Sequence, residues 1–223
     1  SLPAVSAIAT RAGPGPNLQH HDIDEFITHF IDRFAPQCIA SFFHLTEYSS
    51  LMCLACETVT NFCPIPVLTY TGCIGQGADI DIEGSFVRQR EEVERRCEAA
   101  GCTASARGIN LSEKIVETKA ENNRYLWVRI ENFNQRTNRR LHPRFKNRSE
   151  IDKLQVSGSR WKMVAATIHL YGMHPSDSGH FVAFTRDDNN VWWEHEDDRD
   201  AIRHDTFPDT LDGLSDIFFE RIQ

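Results

Sequence analysis

Two groups of residues in this sequence have the types and spacing that chemistry needs. The first lies in Ile168 to Phe184, IHLYGMHPSDSGHFVAF, where His169 stands three positions before Gly172 and Ser178-Gly179-His180-Phe181 opens an apolar run. Downstream, Trp192-Trp193 leads into Glu194-His195-Glu196-Asp197-Asp198. Acyl transfer by a thiol uses such a set: a histidine takes the cysteine proton and later returns it to the leaving amine, while a carboxylate fixes the imidazole tautomer. Gly179, just before the histidine, leaves room for a substrate backbone beside the ring. A hairpin between His180 and Asp197 would set base and carboxylate side by side, as strand pairing does. The bland alternative is a strand histidine followed by a solvated acidic turn.

The second group is cysteines. Cys53-x-x-Cys56 and Cys97-x4-Cys102 lie about forty residues apart. Two tight pairs held by neighbouring hairpins make a tetrahedral zinc site, with thiolates about 2.3 Å from the metal. Free thiols in a core are the alternative, since Cys38, Cys63 and Cys73 lie outside the pairs. Seven cysteines with two tight pairs suit a metal site plus free thiols better than a disulfide framework, which points to a reducing, intracellular setting. A third feature is basic: Arg139, Arg140, Arg144, Lys146, Arg148, Lys153, Arg160 and Lys162 crowd one stretch. Such a run contacts an acidic partner or RNA, or is a solvated loop; aromatic stacking residues are nearly absent from it.

The elements that must position these groups follow from periodicity. Asp22 to Phe34 spaces its apolar residues as an amphipathic helix does, after the turn-rich Ala12 to Asn17. Short β-like runs fill Ala40 to Tyr70, and Thr71 to Asp79 reads as a Gly-rich loop. Glu83 to Arg96 predicts a charged helix leading into the second cysteine pair. Tyr125 to Phe133 alternates like a half-buried strand. Asn134 to Arg160 predicts loop with a short strand. Strands follow at Trp161 to Tyr171, His180 to Thr185 and Val191 to Trp193, with a closing strand at Asp216 to Ile222. The expected class is α+β, with strands dominating after residue 100.

With 223 residues, 40% of them hydrophobic and 25% charged, the chain is long enough for one large domain or two small ones. A net charge of −8 argues against a general nucleic-acid binder, and so against a zinc-dependent one, and fits neutral or basic partners. No stretch reaches the roughly 18 apolar residues of a membrane helix. Ser1 to Thr10 lacks the basic start of a signal peptide. A first residue of Ser rather than Met is what a chain taken from within a longer reading frame would show.

Taken in order, these motifs resemble the ubiquitin-specific protease family. Trp161-Lys162-Met163, His169, Gly172, Gly179-His180-Phe181, Trp193 and Asp197 follow that family's histidine region, and Ile217-Phe218-Phe219-Glu220 its final strand. Leu126 to Phe133 resembles the strand after the second cysteine pair, and His21 to Phe26 the helix of the family's thumb. Departures are Phe181 for the usual Tyr, a longer step from His169 to Gly172, Glu57 for a Gly, and Asn132 for an Arg. The resemblance implies a single domain of papain-like α+β architecture over 1–223, incomplete at its start. Residues 1–50 would be a thumb remnant, 51–132 the fingers and the start of the palm, and 133–223 the palm. It implies His180 as general base and Asp197 as its orienting carboxylate. Asp198 is the alternative, since the apolar marker beyond is Ala201 or Ile202. Gly179, His169 and Gly172 would line the substrate cleft, and Cys53, Cys56, Cys97 and Cys102 would hold a structural Zn2+.

The activity implied is hydrolysis of isopeptide or peptide bonds at the C-terminal glycine of ubiquitin, with ubiquitin and ubiquitinated proteins as partners. The family's nucleophile sits in a box resembling Gly-Asn-Thr-Cys-Tyr-x-Asn-Ser, which this sequence lacks. Cys38, in Pro36-Gln37-Cys38-Ile39-Ala40, has the wrong context and order, so the nucleophile is expected upstream. The competing expectation is a non-catalytic relative that binds ubiquitin or serves as a scaffold.

Overall fold

The computed structural model describes residues 41–72, 79–86, 89–102, 109–118, 123–130, 133–134, 139–140, 144–145, 148–170, 180–197, 199–208 and 213–222. The expected helix at Asp22 to Phe34, Cys38, Cys73, Gly172, Gly179 and Asp198 lie outside them. What is described is mostly β, so the helical part of the α+β expectation rests on residues beyond this set.

Two sheets carry the two chemical groups. The first, the cysteine sheet, comprises β1 (Leu45–Cys53), β2 (Val59–Asn61), β3 (Ile65–Val67), β6 (Gln89–Glu94) and β7 (Ile109–Thr118). Its order is β2-β1-β7-β6, with β3 pairing the base of β1 while β2 pairs its tip. The second, the histidine sheet, comprises β4 (Thr69–Gly72), β8 (Tyr125–Ile130), β12 (Leu154–Val156), β13 (Ser159–Leu170), β14 (His180–Arg186), β15 (Trp192–Glu196), β16 (Arg199–His204) and β17 (Leu214–Ile222). Its order is β16-β15-β14-β13-β17-β8-β4, and β12 forms a hairpin with the start of β13. That hairpin turns at Ser157 and Gly158, both at positive φ, the backbone a tight two-residue loop requires. Two short pairs complete the strands: β5 (Asp79–Ile80) with β11 (Arg144–Phe145), and β9 (Phe133–Asn134) with β10 (Arg139–Arg140). The helices are α1 (Ile82–Ser85), α2 (Glu150–Lys153) and a helical turn at 41–43. Among the described residues no helix is long and apolar enough to cross a membrane.

Two expectations are corrected here. Glu83 to Arg96 is not one helix: α1 takes its first residues, and Gln89–Glu94 is a strand paired antiparallel with β7. Its Glu and Arg content has high helix propensity, but ladder pairing with β7 overrides that, and charged side chains suit an exposed sheet edge. β8 does not alternate. Leu126, Trp127 and Val128 are all fully buried, because this strand lies inside its sheet between β17 and β4. The expected closing strand at Asp216 to Ile222 is present as β17, and it sits between β13 and β8 at the centre of the sheet.

The core belongs to the histidine sheet. Trp161, Met163, Leu214, Ile217 and Phe219 are buried there, and Leu45 and Val116 from the base of the cysteine sheet join them. One carboxylate lies within it. Asp216 is fully buried, and it accepts hydrogen bonds from Trp127 Nε1 (2.9 Å), Thr167 Oγ1 (3.1 Å) and Ser215 Oγ (2.8 Å). Three donors at one carboxylate compensate the loss of water around it.

Candidate functional site

His180 opens β14, opposite Leu170 at the end of β13. β14 and β15 pair with Ala183 opposite His195 and Phe184 opposite Glu194. Strand alternation therefore puts His180, Val182 and Phe184 on the face that carries Glu194 and Glu196. The contact is made: His180 Nε2 lies 3.2 Å from Glu196 Oε1. Nε2 is itself buried and meets Glu196 off the line of a good hydrogen bond. The side chain as a whole is 43% exposed, so the ring is open to a reactant on the side away from Glu196.

Glu196 is held in turn. Its second oxygen pairs with Arg199 Nη2. The same nitrogen lies 2.9 Å from Glu194 Oε1, and Glu194 Oε2 is 2.8 Å from His204 Nε2. Polar contacts thus run from His180 on β14 through Glu196 and Glu194 on β15 to Arg199 and His204 on β16. Asp197 sits next in sequence, in the exposed turn after β15, and pairs with no cation among the described residues. Its neighbour Asp198 is the alternative that lies outside them.

The turn joining β14 to β15 is fixed by Asp187. Its Oδ1 accepts the backbone N–H groups of Val191 and Asn189, both at 2.9 Å, and its Oδ2 accepts Trp193 Nε1 at 3.1 Å. The Val191 and Trp193 bonds hold its pKa below the usual carboxylate value. This turn sets the register that brings Glu196 to His180.

His169 packs. Its ring stacks on Phe181 with centroids 4.3 Å apart and planes 10° from parallel, and its N–H donates to the Gly213 carbonyl at 2.7 Å. Gly213 has φ +85°, and a Cβ there would stand 2.1 Å from the His169 carbonyl oxygen, so the position requires glycine. Through that contact Gly213 seats the end of β13 beside His180.

The four paired cysteines meet at the tip of the other sheet. Cys53 Sγ is 3.8 Å from Cys102 Sγ, Cys56 Sγ is 3.7 Å from Cys97 Sγ, and all four sulfurs lie within 4.8 Å of one another. A tetrahedron of thiolates about 2.3 Å from a central metal places its sulfurs about 3.8 Å apart. The spacing suits a metal and is far too long for S–S bonds. Each pair is closed by a residue in the left-handed region. Glu57 follows Cys56 at φ 56°, and Gly101 precedes Cys102 at φ 78°, which lets the longer x4 spacing fold back. Hydrogen bonds from the Thr58 side chain and backbone lower the Cys56 pKa to about 6, favouring the thiolate a metal needs. Cys97 has a backbone hydrogen bond at Ala99 that acts the same way. Desolvation and the hydrogen bonds with Cys56 and Cys53 nevertheless leave its pKa raised. The fifth described cysteine, Cys63, is exposed beyond β2.

With this geometry in view, the chain can be set beside known proteins. It superposes on a chain of the SAGA DUB module with Ubp8, Sgf11, Sus1 and Sgf73 bound to monoubiquitin, at a TM-score of 0.68 and 13% identity over 92% of this chain and 49% of that one. The same module bound to ubiquitin aldehyde gives 0.58 and 13%, covering 92% and 50%. The yeast module carrying an Sgf73 variant gives 0.61 and 13%, covering 92% and 46%. The shared property is the fold. The chain spans about half the length of these solved chains. No protein-family model matches it, and no curated protein does.

The sequence motif alone missed Glu196 and Arg199. The signal was available in the alternation: positions that differ by an even number from His180, counted through an antiparallel hairpin of this register, return to its face. Asp197 is an odd step away, and only the turn that begins there can redirect it.

Proposed function

We propose that this chain is part of a thiol-dependent deubiquitinating peptidase domain, with His180 as the general base. The observation that carries the reading is the contact of His180 Nε2 with a carboxylate across paired strands. The fold it shares with a module bound to monoubiquitin supports it. In this reading a cysteine supplied upstream of the given residues gives its proton to Nδ1 and attacks the carbonyl carbon of ubiquitin's terminal glycine. Nδ1–H then protonates the leaving amine, and a thioester is formed. A water, deprotonated in turn by Nδ1, later cleaves that thioester to free the carboxylate and the thiol. The carboxylate at the end of β15, 3.2 Å from Nε2, is the group that would align on Nε2–H, fix the tautomer and stabilise the imidazolium. Glu196 makes that contact, and Arg199 anchors Glu196. Asp197, or Asp198, is the residue that the family pattern places in the same role. Gly172 and Gly179 would border the passage for a diglycine tail.

The four cysteines have the donor set and spacing for one structural Zn2+. Bound there, the ion would cross-link the tip of the cysteine sheet and take no part in hydrolysis. Tyr48, Met52, Val59, Ile109 and Leu111 share one face of that sheet, rimmed by Glu92 and Glu94 and by Glu113 paired with Arg90. An apolar centre with an acidic rim suits a partner of basic surface, and ubiquitin is the partner proposed. An intracellular location is the one proposed, since cysteine use of this kind suits a reducing compartment.

A second reading is a ubiquitin-binding scaffold without turnover. It is favoured by one fact: the five described cysteines all belong to the cysteine sheet or its loops, and none stands beside His180. Hydrolysis of a fluorogenic ubiquitin amide by the protein made from its full reading frame decides between them. The peptidase reading expects turnover that His180→Ala lowers at least roughly a hundredfold, with ubiquitin affinity and melting temperature retained. Ubiquitin binding with no turnover selects the scaffold; neither binding nor turnover ends both. Within the first outcome, Glu196→Gln and Asp197→Asn identify the orienting residue. The variant that lowers kcat and shifts the pH profile, with KM unchanged, marks it.

A further inference from the structure

The pairing of β13 with β17 is broken in two places. Met163 stands opposite Phe219 and Ala165 opposite Phe218, so Val164 is an extra residue on β13. Thr167 stands opposite Asp216 and Ile168 opposite Leu214, so Ser215 is an extra residue on β17. The second bulge restores the register that the first shifts, and it decides what lies beside the end of β13. Ile217 and Phe219 point into the core, so Asp216 points to the opposite face, yet Leu214 is back in the core and fully buried. Pairing without the bulge would set Ser215 against Ile168 and turn Leu214 out of the core. His169 would then meet Leu214 rather than the Gly213 carbonyl that its N–H reaches at 2.7 Å.

A carboxylate holds the bulge. Asp216 Oδ2 accepts the hydroxyls of Ser215, at 2.8 Å, and of Thr167, at 3.1 Å, while Oδ1 accepts Trp127 Nε1 at 2.9 Å. One side chain thus ties the extra residue to β13 on one side and to β8 on the other. Asp216 is fully buried. Burying a carboxylate costs more than burying an apolar side chain of the same volume, so its contribution lies in the geometry it fixes.

We propose that Asp216 is a positioning residue for His180, holding the Ser215 bulge so that the end of β13 lies where the imidazole needs it. The path runs from Asp216 to Thr167, three residues along β13 to Leu170, and across one rung to His180. Asp216 and His180 lie on opposite faces of the sheet, so the effect passes through the backbone and Asp216 meets no reactant. The catalytic side of this role rests on His180 as general base; the placing of its ring does not.

Histidine ring signals in the NMR spectrum of the whole chain test this, with His180→Gln identifying the signal of His180. Asp216→Leu keeps the branched shape but leaves three donors unmet. It should move or broaden the His180 signal and speed amide exchange at His169 at least roughly tenfold. Asp216→Asn should restore both, because Oδ1 can accept from Trp127 while Nδ2 donates to the two hydroxyls. Leu154→Ala, in the core beside the start of β13, should lower the melting temperature and leave the His180 signal in place. An unmoved His180 signal in folded Asp216→Leu overturns the proposal. Equal displacement in Leu154→Ala also overturns it, since that would mean general loosening. Should Asp216→Leu not fold, Thr167→Val takes its place, judged by the same signals with a smaller shift expected. In the protein made from its full reading frame, kcat should fall at least roughly tenfold in Asp216→Leu with KM unchanged. A displaced ring with undiminished kcat overturns the positioning role. Wild-type protein without turnover ends the peptidase reading alone, and the ring signal then still decides whether Asp216 places His180.

Discussion

In the histidine sheet Leu126, Trp127, Met163, Leu214 and Phe219 are wholly buried, whereas in the cysteine sheet Val59, Ile65 and Ile109 stand about half exposed. The first sheet is stabilised by removing large apolar side chains from water, each contributing roughly 1.5–3 kcal/mol. The second joins that core only at its base, through Leu45 and Val116. Along most of its length it pairs serines and charged residues, such as Ser50 with Glu113 and Ser49 with Lys114. Isolated sheets of this kind are marginal in water. Its far end is where four sulfurs converge. The contrast gives the cysteines a physical setting: a metal held there would cross-link the end of the sheet that burial does not reach.

Metal removal tests the contrast most strongly. Structural zinc contributes on the order of 10 kcal/mol or more to small domains that depend on it. The purified protein is expected to hold one zinc per chain. Chelation should strip hydrogen-exchange protection from β1, β2, β6 and β7 while β8, β13 and β17 keep theirs. Metal analysis that finds none would remove the cross-link from the account. Equal loss of protection in both sheets would make them one cooperative unit and break the comparison.

Gly213→Ala probes the other side. A Cβ would collide with the His169 carbonyl, at a φ that alanine rarely adopts. The expected cost is about 1–3 kcal/mol of stability, read as a lower melting temperature. Exchange should rise at the end of β13 and in β14, where His180 sits, and the cysteine tip should be unaffected. Unchanged melting would show that the bulge between β13 and β17 absorbs the methyl.

How much of this was legible in the sequence differs between the two regions for the same reason. Trp161 to Tyr171 and His180 to Thr185 announce strands because buried sheets select β-branched and aromatic residues. In the cysteine sheet that selection is absent. β6, with its run of Glu and Arg, reads as a helix, and β7 gives no strong signal. The cysteine pairs were legible from spacing alone, since metal geometry constrains separation along the chain. The carboxylate facing His180 was not, because it depends on the register of a hairpin, and the Asp187 turn that sets it carries only a local signature. β16 was missed likewise: its residues are mostly exposed, so no alternation marks them.

A stabilising change sharpens the contrast further. Glu57 follows the first cysteine pair at φ 56°, a conformation that costs a non-glycine residue about 1 kcal/mol. Its backbone is already committed: Glu57 N–H donates to the Cys53 carbonyl at 2.8 Å. Glu57→Gly should therefore raise the metal-loaded stability of the tip by up to about 1 kcal/mol. A competition titration against a chelator should show it as tighter metal retention. The histidine sheet should not respond, and a loss of retention would mean the Glu57 side chain has a role that its backbone does not reveal.

The smallest effect expected is a matter of pH. Asp187 accepts the Val191, Asn189 and Trp193 hydrogen bonds best as a carboxylate, so its folded pKa lies below the unfolded value near 3.8. A group with a depressed folded pKa contributes stability that is present above its unfolded pKa and lost as pH falls through the folded one. Acidification below about 4 should thus loosen the β14–β15 turn. The same acid would protonate the cysteines and release a metal held on the other sheet, so a melting curve of the wild type alone would mix the two events. The difference between wild type and Asp187→Asn separates them, because metal loss is common to both. The variant should lack the acid-dependent rise in exchange at Asn189 to Trp193 and show lower protection there at neutral pH. Equal profiles in the two proteins would mean that Trp192 packing, not Asp187, sets the register that brings Glu196 to His180.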